Sequence, residues 1–188
     1  MTGVQTCALP IYEAQSHDVL DAFVSHGGNF IDTADVYSEW KDGNKGGESE
    51  TIIGSWLKKR NNRSEIVIAT KVAKLSTRPG LKASNIKAAV DDSLKRLQTD
   101  YIDIYYAHED DQTTSLEETL QAFTEIIKSG KVRYIAASNY SAPRLEEALK
   151  ISRDNHFAQY IAVQNHYNLL ERKEYESTMV PTMQKYGI

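Results

Sequence analysis

The sequence predicts an α/β fold with a parallel sheet, of the (β/α)8 barrel kind, on three observations. Short apolar or β-branched runs alternate with amphipathic helical stripes along the chain. The runs begin near residues 29, 65, 101, 131 and 160, about one βα unit apart, with no hairpin signal between them. No Gly-x-Gly-x-x-Gly follows the first run, as a doubly wound dinucleotide-binding sheet would normally require.

The elements follow in order. Val19, Leu20, Phe23 and Val24 form a helical stripe that Gly27 and Gly28 stop. Residues 29–34 read as a short buried strand, and residues 37–47 as a polar, glycine-containing loop. Ile52, Ile53, Trp56 and Leu57 stripe the next helix, and residues 65–71 form a β-branched strand. After a loop through Pro79 and Gly80, Ile86, Ala89, Val90, Leu94 and Leu97 share one helical face. Residues 101–108 are the third strand. Ser115 and Glu118 fit a capping box that opens a helix lined by Leu116, Leu120, Phe123 and Ile127, and Gly130 ends it. Residues 131–138 are the fourth strand. Ser141 caps a helix bearing Leu145, Ala148 and Leu149. Residues 160–164 are the fifth strand, and a last helix runs over residues 174–186.

The bulk properties narrow the function class. A chain of 188 residues can bury a core of its own. A net charge of −4 and a pI near 5.8 do not suit a nucleic-acid surface, which needs a basic face. No apolar run approaches the ~18 residues of a membrane span. Cys7 is the one cysteine, so no internal disulfide forms, and a reducing, cytoplasmic compartment is expected. His17, His26, His156 and His166 show no paired ligand spacing, so no metal site is expected. Glu109, Asp110 and Asp111 read as a solvated loop.

Four polar residues stand at or just after the ends of three successive strands: Asp32 and Tyr37, Lys71, and His108. In a (β/α) barrel that end is where chemistry is built. Taken singly, each has a structural reading. Tyr37 is one of 11 tyrosines, Lys71 can be a solvated strand end, Asp32 a turn residue and His108 an acid-paired imidazole. Together they form a proton-handling set. A phenol is a weak acid, and a neighbouring ammonium eases the loss of its proton. Asp32 can hold Lys71 by an ion pair, and a histidine can donate to a substrate oxygen.

The words around these residues are Asn29-Phe30-Ile31-Asp32-Thr33-Ala34-Asp35-Val36-Tyr37, Ile68-Ala69-Thr70-Lys71 and Tyr105-Tyr106-Ala107-His108. They closely resemble the aldo-keto reductases. The stretch Gly130-Lys131-Val132-Arg133-Tyr134-Ile135-Ala136-Ala137-Ser138-Asn139 resembles that family's "GKVRxIGxSN" segment, with Ala136 where glycine is usual. Gln164-Asn165-His166-Tyr167-Asn168 resembles its "Q-x-x-Y-N" segment.

The resemblance implies an NADP(H)-dependent reductase that turns an aldehyde or ketone into an alcohol. It implies Tyr37 as proton donor, Lys71, Asp32 and His108 as its catalytic partners, and Ser138, Asn139 and Gln164, with Asp32, on the nicotinamide side. The family also contains potassium-channel β subunits, which share the barrel and cofactor site and act mainly as binding partners of a channel. Trp40, in the loop after Tyr37, is a candidate for lining the pocket, with a surface or packing role standing equally beside it.

The resemblance also implies a truncated barrel. Residues 1–11 resemble the translation of a common sequencing adapter, show no helical or strand period, and are set aside as a non-native segment. Residues 12–188 are then a partial barrel domain holding about strands 2 to 6 with their helices, short of the ~250 residues of a complete barrel. The first strand is expected to be replaced, and the last two units, with the segment that grips the adenosine phosphate, to lie beyond Ile188. An inert fragment is a further expectation on this reading, because it would leave sheet edges open.

Overall fold

The computed structural model describes residues 3–5 and 12–188. Its sheet is entirely parallel and its strands neighbour one another in chain order. They are β1 (Gly3–Gln5), β2 (Phe30–Asp32), β3 (Val67–Val72), β4 (Ile102–Ala107), β5 (Val132–Ser138) and β6 (Tyr160–Gln164). Between them run α1 (Glu13–Ser25), α2 (Glu48–Arg60), α3 (Ala83–Leu97), α4 (Leu116–Lys128) and α5 (Ala142–Asp154); α6 (Val180–Tyr186) follows the sheet. Sequential order with a helix after every strand is the curl of a (β/α) barrel, present here as a half-barrel.

The sheet has one strand more than the five read from the sequence. Gly3–Gln5 lies within the segment set aside above and pairs with Phe30–Asp32 in register. Side-chain periodicity gives no sign of it, because the main-chain N–H and C=O groups along an open strand edge can pair with any extended backbone. The other residues of that segment, Cys7 among them, lie outside the described residues.

The two faces of the sheet differ. Ile31, Ile68, Tyr105, Ile135 and Tyr160 point outward into the helices, where they join Ile53, Trp56, Ile86, Phe123 and Leu145 in one buried cluster. Within it Phe123 meets Tyr105 and Tyr160 edge to face, at 6.0 and 6.2 Å between centroids. The alternate residues form the barrel side: Ala69, Tyr106 and Ala136, with Phe30, Ile104 and Ala162 partly buried against them. Ala136, the departure from the family pattern, is buried on this inner face.

Local signals explain most element ends, and two ends and one helix face differ from the sequence reading. Ser115 accepts from the Glu118 N–H at 3.2 Å, but the Glu118 carboxylate accepts instead from the Ala83 N–H at 2.9 Å and caps the neighbouring α3. In α1, Leu20 is buried while Val19 is 43% exposed. That helix docks on α2 through polar contacts, His17 with Ser55 and Asp21 with Trp56 and Arg60. The last helix opens as a π turn over Tyr175–Met179, because Pro181 lacks the N–H that the Ser177 carbonyl would receive.

Candidate active site

The carboxyl ends of β2, β3 and β4 bring the four predicted residues together. After Asp32 the chain runs along β3, with the Thr33 N–H on Ala69 O at 2.9 Å and the Asp35 N–H on Lys71 O at 3.2 Å. A turn, Tyr37 N–H to Ala34 O at 3.2 Å, then brings Tyr37 over Lys71. Lys71 is wholly buried, and its ammonium spends all three donors. It gives one to Asp32 Oδ2 at 2.5 Å, one to Thr33 O at 2.9 Å and one to Tyr37 Oη at 3.1 Å. An ammonium at full burial needs this complete set of partners. Burial pushes the Asp32 carboxyl above its usual range, while the Lys71 charge and hydrogen bonds from Lys71 and Gln164 pull it back.

His108 completes the group. Its N–H bonds Val72 O at 2.9 Å, and its ring stands edge to face with Tyr37 at 5.9 Å and 77°. Burial, helped by the charges of Lys71 and Lys74, holds its imidazole down at about 3, so it is neutral near pH 7. Its Nδ1 is buried with no partner among the described residues. The acid-paired alternative for His108 does not hold. Glu109 pairs with Lys74, Asp110 with Arg144, and Asp111 binds the Leu81 N–H, Thr113 and Thr114.

The cofactor-side residues adjoin this group. Asn139 donates to His108 O at 2.9 Å and to Ser138 Oγ at 3.1 Å; Ser138 donates to Gln164 O at 2.7 Å. The Gln164 side chain hydrogen-bonds Asp32. Asn139 is exposed and holds φ 56°, a left-handed conformation that asparagine tolerates. Both its N–H groups are used inward, so its carbonyl oxygen is the valence left for an outside donor. That acceptor suits the NH2 of a carboxamide, the polar end of a nicotinamide.

Two features go beyond the residues singled out from the sequence. Tyr106 lies two residues before His108 on the same face of β4, with Lys71 Nζ 5.8 Å from its ring; strand alternation could have flagged it. Behind the sheet, Glu50 is wholly buried, accepting from Thr70 Oγ1 at 2.6 Å and Arg96 Nε at 2.6 Å. Asp35 is buried near it, and burial and the Glu50 charge push its carboxyl up to about 7. No single-residue signal marks that cluster, which joins residues from three elements.

Residues 2–188 match the profile described as Aldo/keto reductase family. The chain belongs to that family. It is 36% identical over 180 residues to norsolorinic acid reductase B of Dothistroma septosporum, covering 90% of this chain and 44% of that one. It is 34% identical over 211 residues to protein Tas of Escherichia coli, covering 99% and 61%. It is 37% identical over 165 residues to a putative voltage-gated potassium channel subunit beta of Schizosaccharomyces pombe, covering 85% and 46%. The chain thus spans roughly half the length of these relatives. Among the described residues no helix is long and apolar enough to cross a membrane.

Proposed function

We propose that this family member works as an NADP(H)-dependent reductase of an aldehyde or ketone, in a reducing cytoplasm, with Tyr37 as the proton donor. The observation that carries the reading is the Lys71 ammonium, held by Asp32 at 2.5 Å and by Tyr37 Oη at 3.1 Å. A bound reduced nicotinamide would supply the hydride for the carbonyl carbon, and Ser138, Asn139 and Gln164 are the residues that would hold its carboxamide. The rest falls to the side chains. As negative charge grows on the substrate oxygen, the Tyr37 hydroxyl gives it a proton and becomes a phenolate. Lys71, already donating to that phenol oxygen, stabilises the phenolate, and Asp32 holds the ammonium aimed at it. His108, neutral near pH 7, keeps one ring N–H with which to orient the substrate oxygen. Solvent then returns a proton to Tyr37.

The test follows loss of NADPH absorbance with benzaldehyde for the chain and for Tyr37→Phe. The ring stays and the proton donor goes, so turnover is expected to fall about 10²–10⁴-fold with NADPH binding kept. The resemblance to a channel β subunit favours a second reading, a cofactor-binding regulatory subunit. NADPH binding without turnover across a broad carbonyl panel would put that reading first.

A further inference from the structure

We infer that Trp40 is a substrate-contacting residue of this site and that it selects planar, aromatic carbonyl compounds over small aliphatic ones. The inference rests on the reductase reading above and names its substrate class. The chain has two tryptophans, placed in opposite ways. Trp56 is 1% exposed in the core, and its Nε1 donates to Asp21 at 2.8 Å. Trp40 is 64% exposed, in the loop that leaves the proposed proton donor. What sets Trp40 apart is its contact with the proposed proton donor rather than its exposure.

Its setting carries the inference. The indole stands edge-on to Tyr37, 6.1 Å between centroids at 61°, and Tyr37 in turn meets His108 at 5.9 Å. Trp40, Tyr37 and His108 are therefore consecutive aromatic contacts, with the indole as the solvent-facing member. The loop holds it in place from both sides. Ser38 is fixed at φ 77°, a conformation that costs a non-glycine residue. The Ser38 carbonyl accepts from the Lys41 N–H at 3.1 Å and from Asn44 Nδ2 at 3.0 Å. The Glu39 carboxylate takes Ser76 Oγ and the Ser76 N–H, tying the loop to the turn after β3. An exposed indole on a braced loop is a ready platform, because the entropy of ordering it is already spent. A planar ring can pack against it in offset or edge-to-face geometry; a small alkyl group offers no matching surface.

The test compares the chain with Trp40→Leu in two ways. In the first, tryptophan emission is titrated with benzyl alcohol and with 1-propanol. The emission component absent from Trp40→Leu should be quenched saturably by benzyl alcohol and only linearly by 1-propanol. In the second, NADPH oxidation is followed with benzaldehyde and propanal. The ratio of their kcat/KM values should fall about tenfold in the variant, the size of one aromatic contact. Equal losses for both aldehydes, or no saturable quenching, would overturn the inference. So would a protein-concentration-dependent change in Trp40 emission without any alcohol, which would assign the indole to an interface between chains. If neither the chain nor Tyr37→Phe oxidises NADPH with either aldehyde, the reductase reading fails, while the emission titration still decides the role of Trp40.

Discussion

The two ends of β4 carry buried charge in opposite ways. At its amino end Asp103 is saturated: Oδ2 accepts from Arg63 at 2.7 Å and from the Ile68 N–H at 2.9 Å, and Oδ1 accepts from Arg133 at 2.9 Å. The same two guanidiniums sandwich the Tyr101 ring at 3.9 and 4.1 Å. At its carboxyl end His108 is buried with an Nδ1 that has no partner among the described residues, beside a lysine sealed under a tyrosine. One end pairs both oxygens of its buried carboxylate and ties β4 to its neighbours. The other keeps polar atoms out of water, which is costly unless a ligand uses them. That asymmetry is the expected division between the stability face and the chemical face of a (β/α) barrel.

If the division is right, substitutions at the two ends should separate activity from stability. The largest effect is expected for Tyr37→Phe, a loss of about 10²–10⁴ in turnover, with a smaller cost of about 1–3 kcal/mol by denaturation because the buried Lys71 ammonium loses one acceptor. Lys71→Met should cost both. It leaves the Asp32 carboxylate buried without its cation, about 3–5 kcal/mol by chemical denaturation. The double variant Asp32→Asn with Lys71→Met should recover much of that stability and none of the activity. If the double variant is as unstable as the single, the cost lies in packing rather than in stranded charge.

At the opposite end, Asp103→Ala is expected to lose about 3 kcal/mol by denaturation, since two guanidiniums and a main-chain N–H lose their acceptor. Turnover per folded molecule should hold, and a selective loss of turnover would break the comparison.

The pH dependence sharpens it further. Asp35 has its pKa raised from 3.8 to about 7, with Glu50, Arg96 and Arg78 as its charged neighbours. Its folded form therefore favours the proton. The stability this gives is complete below pH 3.8 and is lost as pH rises through about 7. Asp35→Asn should match the parent in melting temperature near pH 4 and exceed it near pH 8. His108 has the opposite sign. Its pKa is lowered to about 3, so the unfolded chain binds the proton more readily, and stability falls as pH drops from 6.5 toward 3. His108→Gln should flatten that acid limb. The smallest effect belongs to Ser115→Ala, about 1 kcal/mol for the lost cap of α4.

Periodicity and turn chemistry alone determined the order of helices and strands from residue 13 onward, the parallel sheet and the strand ends that carry Asp32, Lys71 and His108. Those signals are local: a repeat of two or 3.6 residues, a glycine stop, a serine cap. The gathering of the four residues followed from the same reasoning, because consecutive parallel strands present their carboxyl ends side by side.

What the sequence did not determine is where non-local partners went. Glu118 left its own helix to cap α3, because the neighbouring helix brought an open N–H within reach. The acidic run after His108 dispersed to Lys74, Arg144 and nearby main-chain and hydroxyl donors rather than to the imidazole. Asp35, inside the most recognisable word of the chain, is buried within reach of the charges of Glu50, Arg96 and Arg78. Even the strand Gly3–Gln5 joined by main-chain pairing that its residue types do not announce. Each outcome depends on which donors and acceptors the fold brings within about 3 Å. Only the tertiary structure decides that, because the hydrogen-bonding needs of a side chain are fixed by its type while the partners that meet them are not.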